Sequence, residues 1–213
     1  MPAPPIPPLV PDGAEFTFGK SPFRVKGVLY RATRSYFETN VTGGYEALLA
    51  VLEPPALRAF MEQPHIASKR YDVMPVPSLI AYEARVVNTS LEAYLVERTR
   101  WQAKQDLRGV YRVLLKVIRP GLIIRRLPRL LTQLFDFPTV DVDVRGENEL
   151  IATFSGVPQP LEVWLSIGFS VYTKCAMEAA GAWRVKTDWS GSDDAGSRAG
   201  LPLRALRMHV TWE

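Results

Sequence analysis

The chain has 213 residues, of which 47% are hydrophobic and 23% are charged, and this composition is typical of a folded globular protein. Its 26 basic residues exceed its 22 acidic residues by only four, which is too small a surplus to indicate a nucleic-acid partner. A single cysteine excludes an intrachain disulfide and argues against a zinc finger. No uncharged run reaches the roughly 18 residues of a membrane helix, and the start does not resemble a signal peptide. We therefore predict a cytoplasmic protein.

Six of the first eleven residues are prolines, which fix φ and remove backbone donors. This composition favours an extended polyproline II segment. We predict a solvated Pro-rich arm over residues 1–22 and a single α+β domain over residues 23–213.

The apolar spacing predicts several helices between Tyr45 and Phe135. Two short helices between Tyr45 and Met61 are separated at Pro54-Pro55, with Thr42 as the cap of the first. Further helices follow Ser78 and the capping-box pair Thr89 and Glu92. The last of these is predicted to run from Leu91 to about Ile118. Another helix has Pro128 in its first turn.

The spacing of the apolar residues changes after Pro138 from a helical pattern to strict alternation. Residues 139–144 alternate apolar with acidic side chains and residues 150–154 return, which predicts a β-hairpin. Residues 160–181 predict a helix that contains Gly168, and residues 183–189 and 206–212 predict two more strands. The polar stretch from Ser190 to Gly200 is predicted to be flexible. The order of helices, hairpin, helix and two strands predicts an α+β fold, with an N-terminal helical layer packed on a C-terminal antiparallel sheet.

Several segments resemble a myxobacterial paralogous family of unknown function. They are Asp106-Leu-Arg-Gly-Val-Tyr-Arg, Arg119-Pro, Leu127-Pro-Arg-Leu-Leu-Thr-Gln-Leu-Phe135 and Phe23-Arg-Val-Lys-Gly-Val-Leu-Tyr30, together with the Trp-rich last strands. That family is distantly similar to a superfamily of 4-vinyl reductase-type sensor domains, heme nitric-oxide-binding domains and TRAPP small subunits. The resemblance implies a helical layer on an antiparallel sheet, often a dimer, and sometimes a hydrophobic ligand in the core.

The chain departs from the functional motifs of that superfamily. Heme-binding members place an axial histidine on a helix and use a Tyr-x-Ser-x-Arg motif, whereas His65 follows Pro64 in a predicted loop and His209 lies in the last predicted strand. The last strand lacks the cysteine of the vinyl reductase-type domains. Cys175 does not correspond to the acylated cysteine of the TRAPP subunits. We therefore expect no heme and assign no cofactor.

Four residues are candidates for lining an apolar pocket between helices and sheet: Tyr111, Trp164, Cys175 and Trp183. Such aromatic residues more often fill a core than hold a ligand. Cys175 lies toward the C-terminal end of its helix, where the dipole opposes a thiolate, so we expect a structural cysteine rather than a nucleophile. The pairs Asp141/Asp143 and Asp193/Asp194 are the best metal candidates, but both fit solvated positions, and we assign no metal or catalytic residue.

No acid occurs between Asp106 and Asp136, and seven basic residues lie there. Arg108, Arg112 and Lys116 recur every four residues and form one stripe on a predicted helix. The stripe would suit an acidic protein partner or an anionic surface, although a solvated face is the more common outcome. Nucleic acid is disfavoured because no recognition motif accompanies the run.

These observations predict a non-catalytic ligand- or protein-binding module in cytoplasmic signalling or regulation, as a homodimer. Two alternatives remain open: an enzyme that acts on a small hydrophobic substrate, and a structural scaffold subunit without a ligand.

Overall fold

A computed structural model describes residues 5–107 and 120–213 of the chain. The chain divides into two compact units, a helical unit (Met1–Arg98 with Ala199–Leu201) and a sheet unit (Thr99–Arg198 with Pro202–Glu213). The predicted α+β class is confirmed, with a helical N-terminal region and a C-terminal antiparallel sheet. Among the described helices, none is long and apolar enough to cross a membrane.

The helical unit contains short helices and one small two-stranded sheet. Its strands β1 (Arg24–Lys26) and β2 (Arg70–Asp72) pair antiparallel. Its helices are α1 (Val28–Asn40), α2 (Gly44–Val51), α3 (Pro55–Glu62) and α4 (Val76–Val86). Helix α5 (Leu91–Asp106) starts in this unit.

The sheet unit contains a four-stranded antiparallel sheet and three further described helices. Its strands are β3 (Thr139–Gly146), β4 (Glu149–Pro158), β5 (Lys186–Arg198) and β6 (Leu201–Thr211), in the order β3-β4-β6-β5. Its helices are α6 (Pro120–Arg125), α7 (Leu127–Leu134) and α8 (Glu162–Ala179).

The two central strands supply the core of the sheet unit. Their register pairs Leu150 with Val210, Ala152 with Met208 and Phe154 with Leu206, and all six side chains are buried. Because alternate residues of a strand share one face, these six form a continuous apolar surface. Phe169 of α8 stacks on Phe154 with ring centroids 4.8 Å apart, so α8 covers this face of the sheet.

A buried carboxylate organises the helical unit. Asp72 is 2% exposed, and it accepts hydrogen bonds from the Ser21 amide (3.2 Å), the Ser21 hydroxyl (2.5 Å) and the Met74 amide (2.9 Å). The Tyr30 hydroxyl donates to the Asp72 carbonyl oxygen. Because a buried carboxylate is costly without such donors, this set fixes β2, α1 and the start of the fold together.

The start of α1 lies against the loop before β2. The amides of Gly27 and Val28 donate to the carbonyl oxygens of Lys69 (2.8 Å) and Ala67 (3.2 Å). A Cβ atom at Gly27 would lie 2.3 Å from the Ile66 carbonyl oxygen. Only glycine therefore allows this approach without displacing the loop.

Two predicted helix caps differ from those found. Helix α2 begins at Gly44 after Gly43, whose φ of 85° turns the chain, and this turn leaves Thr42 outside the helix. The cap of α5 is Ser90, whose hydroxyl accepts a hydrogen bond from the Ala93 amide (3.2 Å). The Thr89 amide instead donates to the Ala84 carbonyl oxygen, so Thr89 belongs to the end of α4.

Two larger elements also differ from the sequence expectation. Helix α1 was not predicted; it buries Tyr30, Thr33, Tyr36 and Phe37, whose aromatic and β-branched side chains are weak helix signals. The segment predicted to be flexible, residues 190–200, lies mostly in β5. Its side chains are exposed on both faces of the sheet, and such a strand shows no apolar alternation. The predicted helix 91–118 is described only to Asp106, because residues 108–119 lie outside the described ranges.

A second buried acid lies on α4. Glu83 is 2% exposed, and burial raises the pKa of its carboxyl from 4.5 to about 7, an effect that the positive charge of Arg98 partly offsets. Between those two pH values, the folded chain binds more protons at Glu83 than the unfolded chain does. The free energy of unfolding therefore falls as the pH rises through this window.

Replacing Glu83 with glutamine should remove this dependence. Each unit by which folding shifts a pKa corresponds to about 1.4 kcal/mol of free energy. The free energy of unfolding of the variant, relative to that of wild type, should therefore rise by roughly 3 kcal/mol between pH 4.5 and pH 8. Urea unfolding at both pH values measures it. Glu97→Gln, an exposed change on α5, is the control. Parallel stability curves for Glu83→Gln and wild type would contradict the assignment.

Candidate functional site

The helical unit contains a cavity of about 200 Å³ between α1 and the segment that follows α3. Helix α1 supplies three of its lining residues, and α2, α3 and the loop that follows α3 supply the others. The residues that shape it are Tyr30, Arg31, Arg34, Tyr45, Met61 and His65.

Two arginines of α1 line the cavity. Arg31 and Arg34 are three residues apart on the helix, a spacing that places both on one face. The Nε of Arg34 binds Glu38 at 2.9 Å, and its guanidinium lies 5.0 Å from the centre of the Tyr45 ring. These contacts orient Arg34, whereas Arg31 has no ion-pair partner among the residues that the structure describes. The cavity is therefore electropositive on its α1 side.

The opposite wall of the cavity is aromatic and polar. The Tyr45 hydroxyl donates to the Met61 carbonyl oxygen at 2.8 Å, which joins α2 to the end of α3. His65 stacks on Tyr30 with ring centroids 4.8 Å apart, and Tyr71 and Phe60 contact its edges. Its Nε2 is buried and has no hydrogen-bond partner among the described residues.

The environment of His65 keeps its ring neutral. Burial lowers the pKa of this imidazole from 6.5 to about 4, because desolvation penalises the charged form. At neutral pH the ring therefore carries one hydrogen and no charge. The positive charge of the cavity comes from the arginines alone.

This cavity was not predicted from the sequence. The signal that could have found it was the spacing of Arg31, Arg34 and Glu38 on one helical face, but α1 itself was not predicted. His65 was noted only as a residue in a loop.

The structure describes three of the four residues that were predicted to line an apolar pocket. Trp164 is half-buried on α8 and packs against Phe135, with ring centroids 6.1 Å apart. Cys175 is half-buried near the end of the same helix. Trp183 is 74% exposed, so its indole does not have the interior position expected of it. Tyr111 lies outside the described residues.

Cys175 has a non-nucleophilic environment. Burial and then the negative charge of Glu178 raise the pKa of its thiol, and Arg100 and Lys104 offset this only in part. Since the thiolate is the nucleophile, this environment disfavours covalent catalysis at Cys175. His209, on β6, binds Glu149 through Nε2 at 2.8 Å.

The remaining predicted sites are the basic stripe and the two pairs of aspartates. Arg108, Arg112 and Lys116, the predicted docking stripe, all lie outside the described residues. Asp143 pairs with Arg145 at 2.7 Å and Asp193 pairs with Arg207. Within the described ranges, no three His, Cys, Asp or Glu side chains are grouped as metal ligands would be.

Comparison with solved structures shows an H-NOX fold. A Cs H-NOX mutant with an unnatural amino acid matches at a TM-score of 0.61 and 10% identity, covering 88% of this chain and 96% of that chain. An iron(II) unliganded H-NOX protein from K. algicida has the same TM-score and coverage at 11% identity. An oxygen-binding H-NOX domain related to soluble guanylate cyclases gives 0.57 and 10%, over 88% and 92% of the two chains. No family model and no curated protein matches the sequence.

The described residues do not fit a heme held by histidine. The chain has two histidines. His65 is enclosed by three aromatic rings beside a cavity smaller than the roughly 300–1,000 Å³ of drug-sized sites. His209 lies on a strand and is engaged by Glu149. An axial ligand needs a ring nitrogen that is open to the iron, whereas the His65 Nε2 is buried and the His209 Nε2 is engaged by Glu149.

Hemin added to the purified protein should therefore show no histidine-dependent binding. We expect the Soret band to be the same for wild type, His65→Ala and His209→Ala, because neither ring presents a free ligating nitrogen to a porphyrin. Absorption titrations of the three proteins measure this. A shifted band in wild type that either substitution abolishes would contradict the conclusion.

Proposed function

We propose that this chain is a non-catalytic small-molecule-binding module that acts in signalling or regulation. The observation that carries the proposal is the cavity, where cationic, aromatic and hydrogen-bonding side chains from three helices converge. Such convergence of a few polar groups on a concave, partly apolar surface is typical of ligand sites. The H-NOX fold supports the proposal because the matching proteins include an oxygen-binding H-NOX domain and an H-NOX protein with a distorted heme. This chain would bind a ligand without heme.

The chemistry of the site favours binding over catalysis. A general base works best when its pKa lies near the operating pH, and a pKa of about 4 makes His65 a weak base at neutral pH. The Tyr45 hydroxyl is engaged by a backbone carbonyl, and burial raises its pKa, so it stays protonated. Cys175, the single thiol, has a raised pKa as well. These features support the binding interpretation over the enzyme alternative.

Other predictions from the sequence concern the oligomeric state, the family, the location and the partners of the chain. A homodimer, membership of the myxobacterial family and a cytoplasmic location stay predictions from the sequence. Docking of an acidic partner or an anionic surface on Arg108, Arg112 and Lys116 also stays a prediction. A ligand in the pocket predicted around Tyr111, Trp164, Cys175 and Trp183 likewise stays a prediction.

Native mass spectrometry of freshly purified protein tests the binding function. We expect a bound small molecule, or binding of compounds from a metabolite panel, and equal binding by Cys175→Ser, because the thiol takes no part in the proposed function. Ligand affinities of wild type and Cys175→Ser that agree within about twofold would support a binding module. Substrate turnover that is lost in Cys175→Ser would favour the enzyme alternative, and the absence of any ligand would favour the scaffold.

A further inference from the structure

We propose that the cavity between α1 and the segment after α3 binds a small aromatic carboxylate, with the carboxylate on Arg31 and Arg34. The proposal rests on the proposed function and specifies its ligand. It follows from two features of the cavity: its volume and its charge.

The volume suits one aromatic ring with a short substituent. An apolar cavity of about 150 Å³ in another protein holds benzene. A cavity of about 200 Å³ therefore has room for a ring that carries a carboxylate. Tyr30, Tyr45 and Met61 supply the apolar surface that such a ring would contact.

The charge selects an anion. Arginine binds carboxylates through paired N–H groups in a planar geometry, and two arginines line this cavity. Glu38 engages Arg34 only through Nε, and no ion pair engages Arg31 among the described residues. The exposed ion pair with Glu38 is of a kind that contributes little to stability, so its main effect is to orient Arg34.

His65 lines the cavity with its aromatic ring, which stacks on Tyr30. Its Nε2 is buried without a hydrogen-bond partner in the part of the chain that the structure describes, so this nitrogen is not open to a ligand in the cavity. The ring therefore supplies contact surface, and the carboxylate is held by the arginines.

Benzoate is the probe, and isothermal titration calorimetry measures its affinity. Saturable binding at one site per chain is expected. Benzamide, which has the same shape without the charge, should bind at least about tenfold more weakly, because charged hydrogen bonds contribute about 1.5–3 kcal/mol. Acetate and inorganic phosphate should also bind more weakly than benzoate, because neither fills the apolar part of the cavity.

Substitutions identify the site. Arg31→Gln and Arg34→Gln should each weaken benzoate binding by about tenfold or more. The matched control is Arg100→Gln, the same change at an exposed position of α5 that does not line the cavity, and it should leave the affinity within about twofold. His65→Phe keeps an aromatic ring and removes a buried nitrogen that has no partner among the described residues, so it should raise the thermal unfolding temperature. Circular dichroism verifies that each variant is folded.

Several results would overturn the proposal. They are no saturable benzoate binding, equal affinities for benzoate and benzamide, phosphate or acetate binding as tight as benzoate, and unchanged affinity in both cavity arginine variants. If benzoate fails but native mass spectrometry shows another ligand, the aromatic carboxylate is wrong and the binding function stands. If no ligand is found by either method, both fail.

Discussion

The helical unit depends on the burial of one carboxylate. Asp72 ends β2, and its side chain would cost several kcal/mol if it were buried without partners. Ser21 and Met74 supply the donors, and Tyr30 binds the carbonyl of the same residue. Segments that are about fifty residues apart in the sequence are therefore held at one point.

The cavity is a consequence of that arrangement. Tyr30 is fixed through its hydroxyl by Asp72, and its ring supports His65 by stacking. Because Tyr30 and the two cavity arginines lie on the same helix, fixing Tyr30 also fixes the backbone positions from which both arginine side chains extend. Glu38 and Tyr45 orient Arg34 before a ligand binds, whereas the exposed Arg31 side chain would be ordered on binding.

The fold was more predictable than the site. Prolines and period-two alternation are local signals, and they located α3, α7, β3, β4 and β6. Helix α1 was missed because it buries aromatic residues and a threonine instead of a run of aliphatic residues. The cavity could not be predicted, because it joins Arg31 to His65 through the tertiary fold. Trp183 was predicted to lie in the interior because it is aromatic, but it is exposed. The sequence alone does not show whether an aromatic residue next to a strand faces the core or the solvent.

The close approach at Gly27 has an evolutionary consequence. This residue lets the loop before β2 lie directly on the first turn of α1, and the same loop carries His65. Any side chain here would push the loop outward and move the imidazole away from the arginines, even if every core residue stayed the same. Among chains of similar architecture, the identity of this single residue should thus serve as a marker that separates those able to form the cavity from those that cannot.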